Sequence, residues 1–230
     1  MTADGFRTQP EHRWPVVAAI IVALALYLLL PGVFIPVLRY SIAGLCALAL
    51  IPLIVLNPVR FTRETRLSRV LSIVLAVVLL GANQLALVQL GYQLLVAHSA
   101  DAPGILLAAV QVWVCTVIAY AIIYWELDRG GPVTRRRDAR TELPPADFRF
   151  PQDEDHEAVD EVAVRSSGRS GWTPQFFDYL YFSVTDAMAF SPTDVMPLSI
   201  RAKALMLVES ISGFVILALV IARAVNVMGG

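Results

Sequence analysis

The chain has 230 residues, of which 57% are hydrophobic and 16% charged, and its formal net charge is −1 at pH 7. Because soluble domains are only about 45–50% apolar, this composition predicts an integral membrane protein of the all-α class, with the lipid bilayer as its main partner. No nucleophile–base pair, phosphate loop, redox motif or metal-ligand spacing predicts an enzyme, a cofactor or a metal site, and the near-neutral charge gives no reason to expect nucleic acid.

Four apolar runs follow a polar N-terminus of residues 1–13, and each run is about as long as a membrane-spanning helix requires. The runs cover residues 14–30, 33–56, 70–97 and 104–125. They predict a four-helix transmembrane region over residues 14–126. The third run carries four amides, which predict either hydrogen bonds between helices or a wet path: Asn83, Gln84, Gln89 and Gln93. At the end of the fourth run, Tyr120, Tyr124 and Trp125 are interpreted as an aromatic belt at the membrane interface.

The only long hydrophilic segment comprises residues 127–171. It is basic at first, acidic over residues 153–161, and rich in serine and glycine at its end. Such a composition predicts a flexible loop that is largely disordered.

A channel-like unit is predicted over residues 172–230. Thr173 and Pro174 suit the cap and first position of a helix of about 16 residues, which Pro192 ends. Sixteen residues rise about 24 Å, so this helix is too short to cross, whereas residues 199–227 form a helix long enough to span. The predicted fold is therefore five transmembrane helices plus one short re-entrant, pore-like helix.

The residues of this unit carry a resemblance to the pore region of tetrameric potassium channels, namely the pore helix, loop and inner helix. They are Tyr181-Phe182-Ser183-Val184-Thr185, Asp194, Pro197, Leu207-Val208-Glu209-Ser210, Gly213 and Ile221-Ala222-Arg223. The pattern is more similar to an uncharacterised bacterial family of multispanning proteins, whose channel-like C-terminal segment lacks the glycine filter. About 50 residues are covered by this resemblance.

The resemblance aligns five residues with the channel filter T-V-G-Y-G: Ala189, Phe190, Ser191, Pro192 and Thr193. Asp194 then falls on the aspartate that follows the filter. Filter glycines allow the backbone to aim successive carbonyls at the ion. Pro192 fixes φ near −65°, and β-branched Thr193 resists positive φ, so a potassium-selective filter is not expected here.

Four residues outside that loop are further site candidates. In the pore helix, these are Thr185 and Asp186; Asp186, like Asp194, could form a ring of charge that attracts cations. A hydrogen-bonding role for Asp186 and an exposed turn for Asp194 are the alternatives. Glu209 lies within a predicted span and is either functional or structural. Gly213 predicts close helix packing or a bend.

These features predict a potassium-channel-like protein with a degenerate filter, a weakly selective path for monovalent cations in a homotetramer. The alternative is a non-conducting structural or regulatory membrane protein that retains the channel scaffold. Fourteen arginines lie in the N-terminus and in residues 57–69 and 127–171, against Arg39 and Arg223 on the opposite side. The positive-inside rule therefore predicts a multi-pass protein of the plasma (inner) membrane, with its N-terminus and long loop in the cytoplasm. Potassium channels admit their pore loop from outside, so this orientation implies an inverted pore loop.

Overall fold

The structure, a computed structural model, describes residues 11–12, 14–31, 66–95, 102–154, 157–188 and 194–228, with isolated positions between 36 and 47. Its helices are α1 Trp14–Leu28, α2 Arg66–Leu95, α3 Ala102–Leu127, α4 Pro132–Arg137, α5 Asp160–Ala163, α6 Ser167–Ser170, α7 Phe176–Met188 and α8 Ile200–Met228. Two 3-10 turns, Asp128–Gly130 and Pro151–Asp153, and two strands, β1 Phe148–Arg149 and β2 Met196–Pro197, complete the described elements. The predicted second span, residues 33–56, lies almost wholly outside the described residues.

Three of the described helices are long and apolar enough to cross a membrane. The spans are Arg69–Leu95, Pro103–Gly130 and Ile200–Val225. They agree with the predicted third, fourth and last spans, and they identify a helical membrane protein. The 15 residues of α1 are apolar but rise only about 22 Å, less than the roughly 30 Å of a bilayer core. A total of five spans stays a prediction.

Helix α3 is the centre of the packing, because α1, α2, α7 and α8 all contact it. Its alanines at 108, 109 and 121 are completely buried. Small side chains of this kind let neighbouring helices approach closely, which supplies the van der Waals contact that membrane helices depend on. The polar groups described below are thereby held around one helix.

A sharp turn ends α3 and reverses the chain. Arg129, Gly130 and Gly131 all have positive φ, at 51°, 79° and 94°. A Cβ on Gly130 would lie only 3.0 Å from Cγ2 of Thr134, so both its conformation and its surroundings favour glycine. Pro132 then occupies the first turn of α4, where its missing N–H costs nothing.

The segment after this turn packs against the end of α3, which differs from the flexible loop predicted for residues 127–171. In its described parts, seven residues have at most 3% of their surface exposed: Asp128, Arg135, Asp147, Phe148, Phe150, Ala163 and Ser166. Strand β1 pairs antiparallel with β2, matching Phe148 to Pro197. Composition alone could not predict this packing, because the acidic side chains accept hydrogen bonds from basic groups and backbone N–H groups elsewhere in the chain. Two buried phenylalanines also pack the segment against the helices.

Three helix ends, namely the end of α3 and the starts of α7 and α8, lie together at one end of the bundle. Glu11 accepts hydrogen bonds from Nε1 of Trp125 near the end of α3 and from the N–H of Phe176, the first residue of α7. At the start of α8, Arg201 donates to the carbonyl of Leu127, the last residue of α3. The far end of α7 touches Gly213, roughly 20 Å along α8. Helix α7 therefore runs partway along α3 and α8. The start of α8 lies at the same end of the bundle as the start of α7.

Candidate functional site

Aromatic side chains fix α7 against α3. Phe176, Tyr179 and Phe182 recur every three residues, which places them on one face of the helix, and each is at most 2% exposed. The ring of Phe182 lies 5.2 Å from the ring of Tyr124 on α3, and Phe148 contacts both rings. This packing sets the depth and rotation of α7, and so places its polar residues against α8.

A buried carboxyl group lies where α3, α7 and α8 meet. Glu209 of α8 has no exposed surface. The hydroxyl of Tyr124 donates to its Oε2 over 2.5 Å, and Ser183 of α7 contacts its Oε1. The Ser183 hydroxyl also lies 2.9 Å from the carbonyl of Val117 on α3. One side chain from α3 and one from α7 thus contact the carboxyl group of Glu209.

A second carboxyl group lies beside it, one turn further along α7. Asp186 is 4% exposed, and its Oδ1 accepts a hydrogen bond from Ser210 of α8 over 3.1 Å. Asp186 bonds to Ser210, the residue next to Glu209, and Glu209 bonds to Ser183, one turn before Asp186, so the two carboxyl groups lie side by side. Oδ2 of Asp186 is buried, and no described residue donates a hydrogen bond to it.

The last turn of α7 rests directly on the glycine of α8. A Cβ on Gly213 would lie 2.5 Å from the carbonyl oxygen of Ala187. Real Cβ contacts are never this short, so only glycine allows the observed spacing of the two helices. The prediction that Gly213 marks close packing agrees with this contact.

Amides of α2 extend the polar contacts across the bundle. Nδ2 of Asn83 donates to Thr116 of α3 over 2.7 Å. Gln84 donates to Tyr120 and accepts from Ser212 of α8, each over 3.3 Å. For Asn83 and Gln84, these contacts favour interhelical hydrogen bonding over a wet path.

At the end of the bundle where the three helix ends meet, Asp128 follows α3 directly and forms hydrogen bonds that connect it to β1 and α7. Its Oδ1 accepts the backbone N–H groups of Asp147 and Phe148, and its Oδ2 accepts the hydroxyl of Tyr179 over 2.6 Å. Arg129 lies 3.6 Å from the same carboxylate. With no exposed surface and three donors, Asp128 acts as a buried anchor for this end of the bundle.

Asp147 plays the corresponding part for α8. Its buried carboxylate accepts Nε of Arg201 at 2.7 Å and also Nη2 of the same side chain. The hydroxyl of Ser199 donates to it and accepts the backbone N–H of Ala202, so Ser199 caps α8. These contacts fix the start of α8 to the folded segment that follows α3.

The cap of α7 differs from the prediction. Thr173 is buried and its hydroxyl bonds to none of the described residues, because the helix begins three residues later, at Phe176. Glu11 takes the Phe176 N–H instead, over 2.6 Å, and Asp178 takes the N–H of Gln175. Burial raises the pKa of the Glu11 carboxyl, against the smaller opposing effect of the Arg135 charge.

The structure brings together three of the predicted site residues: Asp186, Glu209 and Gly213. Thr185 is only partly buried and donates to carbonyls within its own helix. Asp194 is exposed. Residues 189–193 of the filter-equivalent loop lie outside the described residues. In the part of the chain that is described, no group of three His, Cys, Asp or Glu side chains could hold a metal ion.

Sequence reasoning missed the partners of these carboxyl groups. Tyr120, Tyr124 and Trp125 are at most 1% exposed, so their interpretation as an interfacial belt is wrong. They sit on α3 facing other helices and bind Gln84, Glu209 and Glu11. A carboxyl group inside an apolar span needs a buried hydrogen-bond donor. A tyrosine in another predicted span was the sequence feature that could have indicated this donor.

Comparison of the chain with protein families, with curated proteins and with solved structures found no match.

Proposed function

We propose that this protein is a channel-like membrane protein in which α7 is a re-entrant pore helix between an outer helix, α3, and an inner helix, α8. The supporting observation is that three helix ends meet: the end of α3 and the starts of α7 and α8 lie together. A helix of 13 residues that enters from that level and stops beside Gly213 has the order and depth of a pore helix.

The exposed face of α7 supports a homo-oligomer, and a homotetramer is the proposed form. Phe177, Tyr181 and Met188 are 71%, 55% and 63% exposed. The end of a helix that stops at membrane depth leaves backbone carbonyls unpaired, which lipid cannot satisfy. Because α3 and α8 cover α7 on one side, further copies of the chain around a common axis would cover this apolar face.

Selectivity for potassium is not part of the proposal. The filter-equivalent residues Ser191, Pro192 and Thr193 replace the Gly-Tyr-Gly on which carbonyl coordination depends. What remains is a weakly selective path for monovalent cations, for which we propose Asp194, the exposed residue that directly follows the filter-equivalent loop, as the carboxylate. We place the protein in the plasma (inner) membrane, with the orientation set by the arginine count.

Parallel flux measurements test this function. Purified protein reconstituted into liposomes is given a potassium gradient or a sodium gradient. Similar permeabilities for the two ions, reduced in Asp194→Asn and unchanged in Glu161→Gln, are expected. Glu161 is an exposed acid of the hydrophilic segment and serves as the matched control. A potassium-to-sodium ratio as high as that of a potassium channel would contradict the proposal.

A non-conducting scaffold is the second candidate. It is favoured by the engagement of Asp186 and Glu209 in packing between helices, which leaves neither carboxyl group at the surface of the chain. The exposed positions of α8 between Ala204 and Val225 are also all apolar. A stable oligomer that passes neither ion under any gradient would select this alternative.

A further inference from the structure

The carboxyl groups of Asp186 and Glu209 form a pair that ordinary donors cannot satisfy. Glu209 is offered hydrogens by Tyr124 and Ser183, but the single Ser183 hydrogen faces two acceptors, Oε1 of Glu209 and the carbonyl of Val117. From the residues that the structure describes, Asp186 receives one hydrogen, from Ser210, and its Oδ2 receives none. The pair is therefore short of at least one hydrogen.

Charge leads to the same count. Two adjacent ionised carboxylates repel each other, and this repulsion is strong where water is excluded. Both groups are at least 96% buried, and no cationic side chain among the described residues bonds to either. One proton removes one charge and provides the missing hydrogen.

We propose that Asp186 and Glu209 form a buried cation site that is occupied by one shared proton and that joins the pore-like helix α7 to α8. With that proton on Glu209, its O–H can donate to Asp186 or to Ser183, which then donates to Val117. Tyr124 still donates to the other oxygen of Glu209. Loss of the proton leaves two negative charges beside the end of α7, where only a cation from solution could compensate them.

The groups around the pair come from all three neighbouring helices. Tyr124 and Tyr120 face it from α3, Ser183 from α7, and Ser210 and Ser212 from α8, while Gln84 of α2 reaches Tyr120 and Ser212. The tyrosines are the other titratable members, and their neutral form holds the hydrogens that the pair uses. This proposal goes beyond conduction, because the proton would be present whether or not ions pass.

Infrared spectroscopy of the reconstituted full-length protein tests the proposal directly. A protonated carboxyl group has a C=O stretching band at a higher frequency than the bands of carboxylates and amides. A background with both Glu11→Gln and Glu126→Gln removes the other two buried glutamates. At neutral pH we expect such a band, its loss in Glu209→Gln, and a shifted frequency or its loss in Asp186→Asn. Asp194→Asn, which alters an exposed carboxylate, should leave the band unchanged.

Glu209→Gln should also fold, since its amide can accept from Tyr124 and donate to both Ser183 and Asp186. In the Glu11→Gln background, which lacks the buried proton of Glu11, the folded protein holds one proton more than the unfolded protein. Its unfolding constant should therefore rise with pH by up to tenfold per unit, and Glu209→Gln should remove this rise. Absence of the protonated band in the parent, its retention in Glu209→Gln, or an unchanged band in Asp186→Asn would overturn the shared proton.

Discussion

Replacement of Gly213 by alanine should separate α7 from α8. The added Cβ would lie 2.5 Å from the carbonyl oxygen of Ala187 and 3.2 Å from its carbonyl carbon and Cα. All three atoms belong to the backbone, so no side-chain rotation relieves the contact. An ordinary contact needs close to 1 Å more, and α7 as a whole would have to move by about that distance.

Overpacking of this kind costs about 1–3 kcal/mol. The exchange also has a favourable part, because alanine is better than glycine in a helix by up to about 1 kcal/mol. Gly81→Ala measures that part alone, since Gly81 lies in α2 and nothing is within 4 Å of the added Cβ. The difference between the two variants isolates the contact with α7.

Thermal unfolding in detergent, followed by circular dichroism, gives the comparison. Gly213→Ala should melt below Gly81→Ala by about 2–4 °C for each kcal/mol. Light scattering should show that the larger Gly213→Leu disrupts assembly. A Gly213→Ala protein as stable as Gly81→Ala, with a normal oligomer in Gly213→Leu, would refute the packing argument.

Three further predictions concern the other end of α7 and the orientation. Burial raises the pKa of Glu11, so its stabilising proton is fully bound below its unfolded pKa of about 4.5 and is lost as pH rises through the higher folded pKa. The free energy of unfolding measured in urea should therefore fall over this pH range. Glu11→Gln should reduce this dependence on pH. Asp128→Ala strands three buried donors at about 1–3 kcal/mol each, so it should unfold far more easily than the exposed control Asp160→Ala. Reporter fusions after Arg69 and within residues 140–165 should behave as cytoplasmic; extracytoplasmic behaviour at both would overturn the arginine argument.

Hydropathy was enough to predict the long helices, because helix length and apolar content follow from local sequence. The predicted spans of residues 70–97 and 104–125 differ from α2 and α3 by only a few residues at their ends. The short helix was also predicted, although it begins at Phe176 rather than beside Pro174. Its cap depends on Glu11, which is far away in sequence and could not be recognised from local pattern.

The hydrophilic segment shows where composition misleads. Asp128 and Asp147 look like loop residues, but each satisfies donors that are distant in the chain. Likewise, Glu209 and Gly213 were identifiable as unusual residues within an apolar span. Their partners, Tyr124 and Ala187, became known only when the three helices were placed together.

Cysteine labelling in sealed vesicles tests the re-entrant path of α7 most directly. Val164 and Leu198 flank this helix and are 58% and 50% exposed, so a cysteine at either position is open to a membrane-impermeant reagent. Cys46 and Cys115 are first replaced by serine to provide an unreactive background.

Ser99→Cys marks the opposite face, since residues 98–103 connect the predicted third and fourth spans. The account predicts that Val164→Cys and Leu198→Cys react from the same side, while Ser99→Cys reacts from the other. Reaction of Val164→Cys and Leu198→Cys from opposite sides would mean that α7 crosses the membrane, and would contradict the channel-like arrangement.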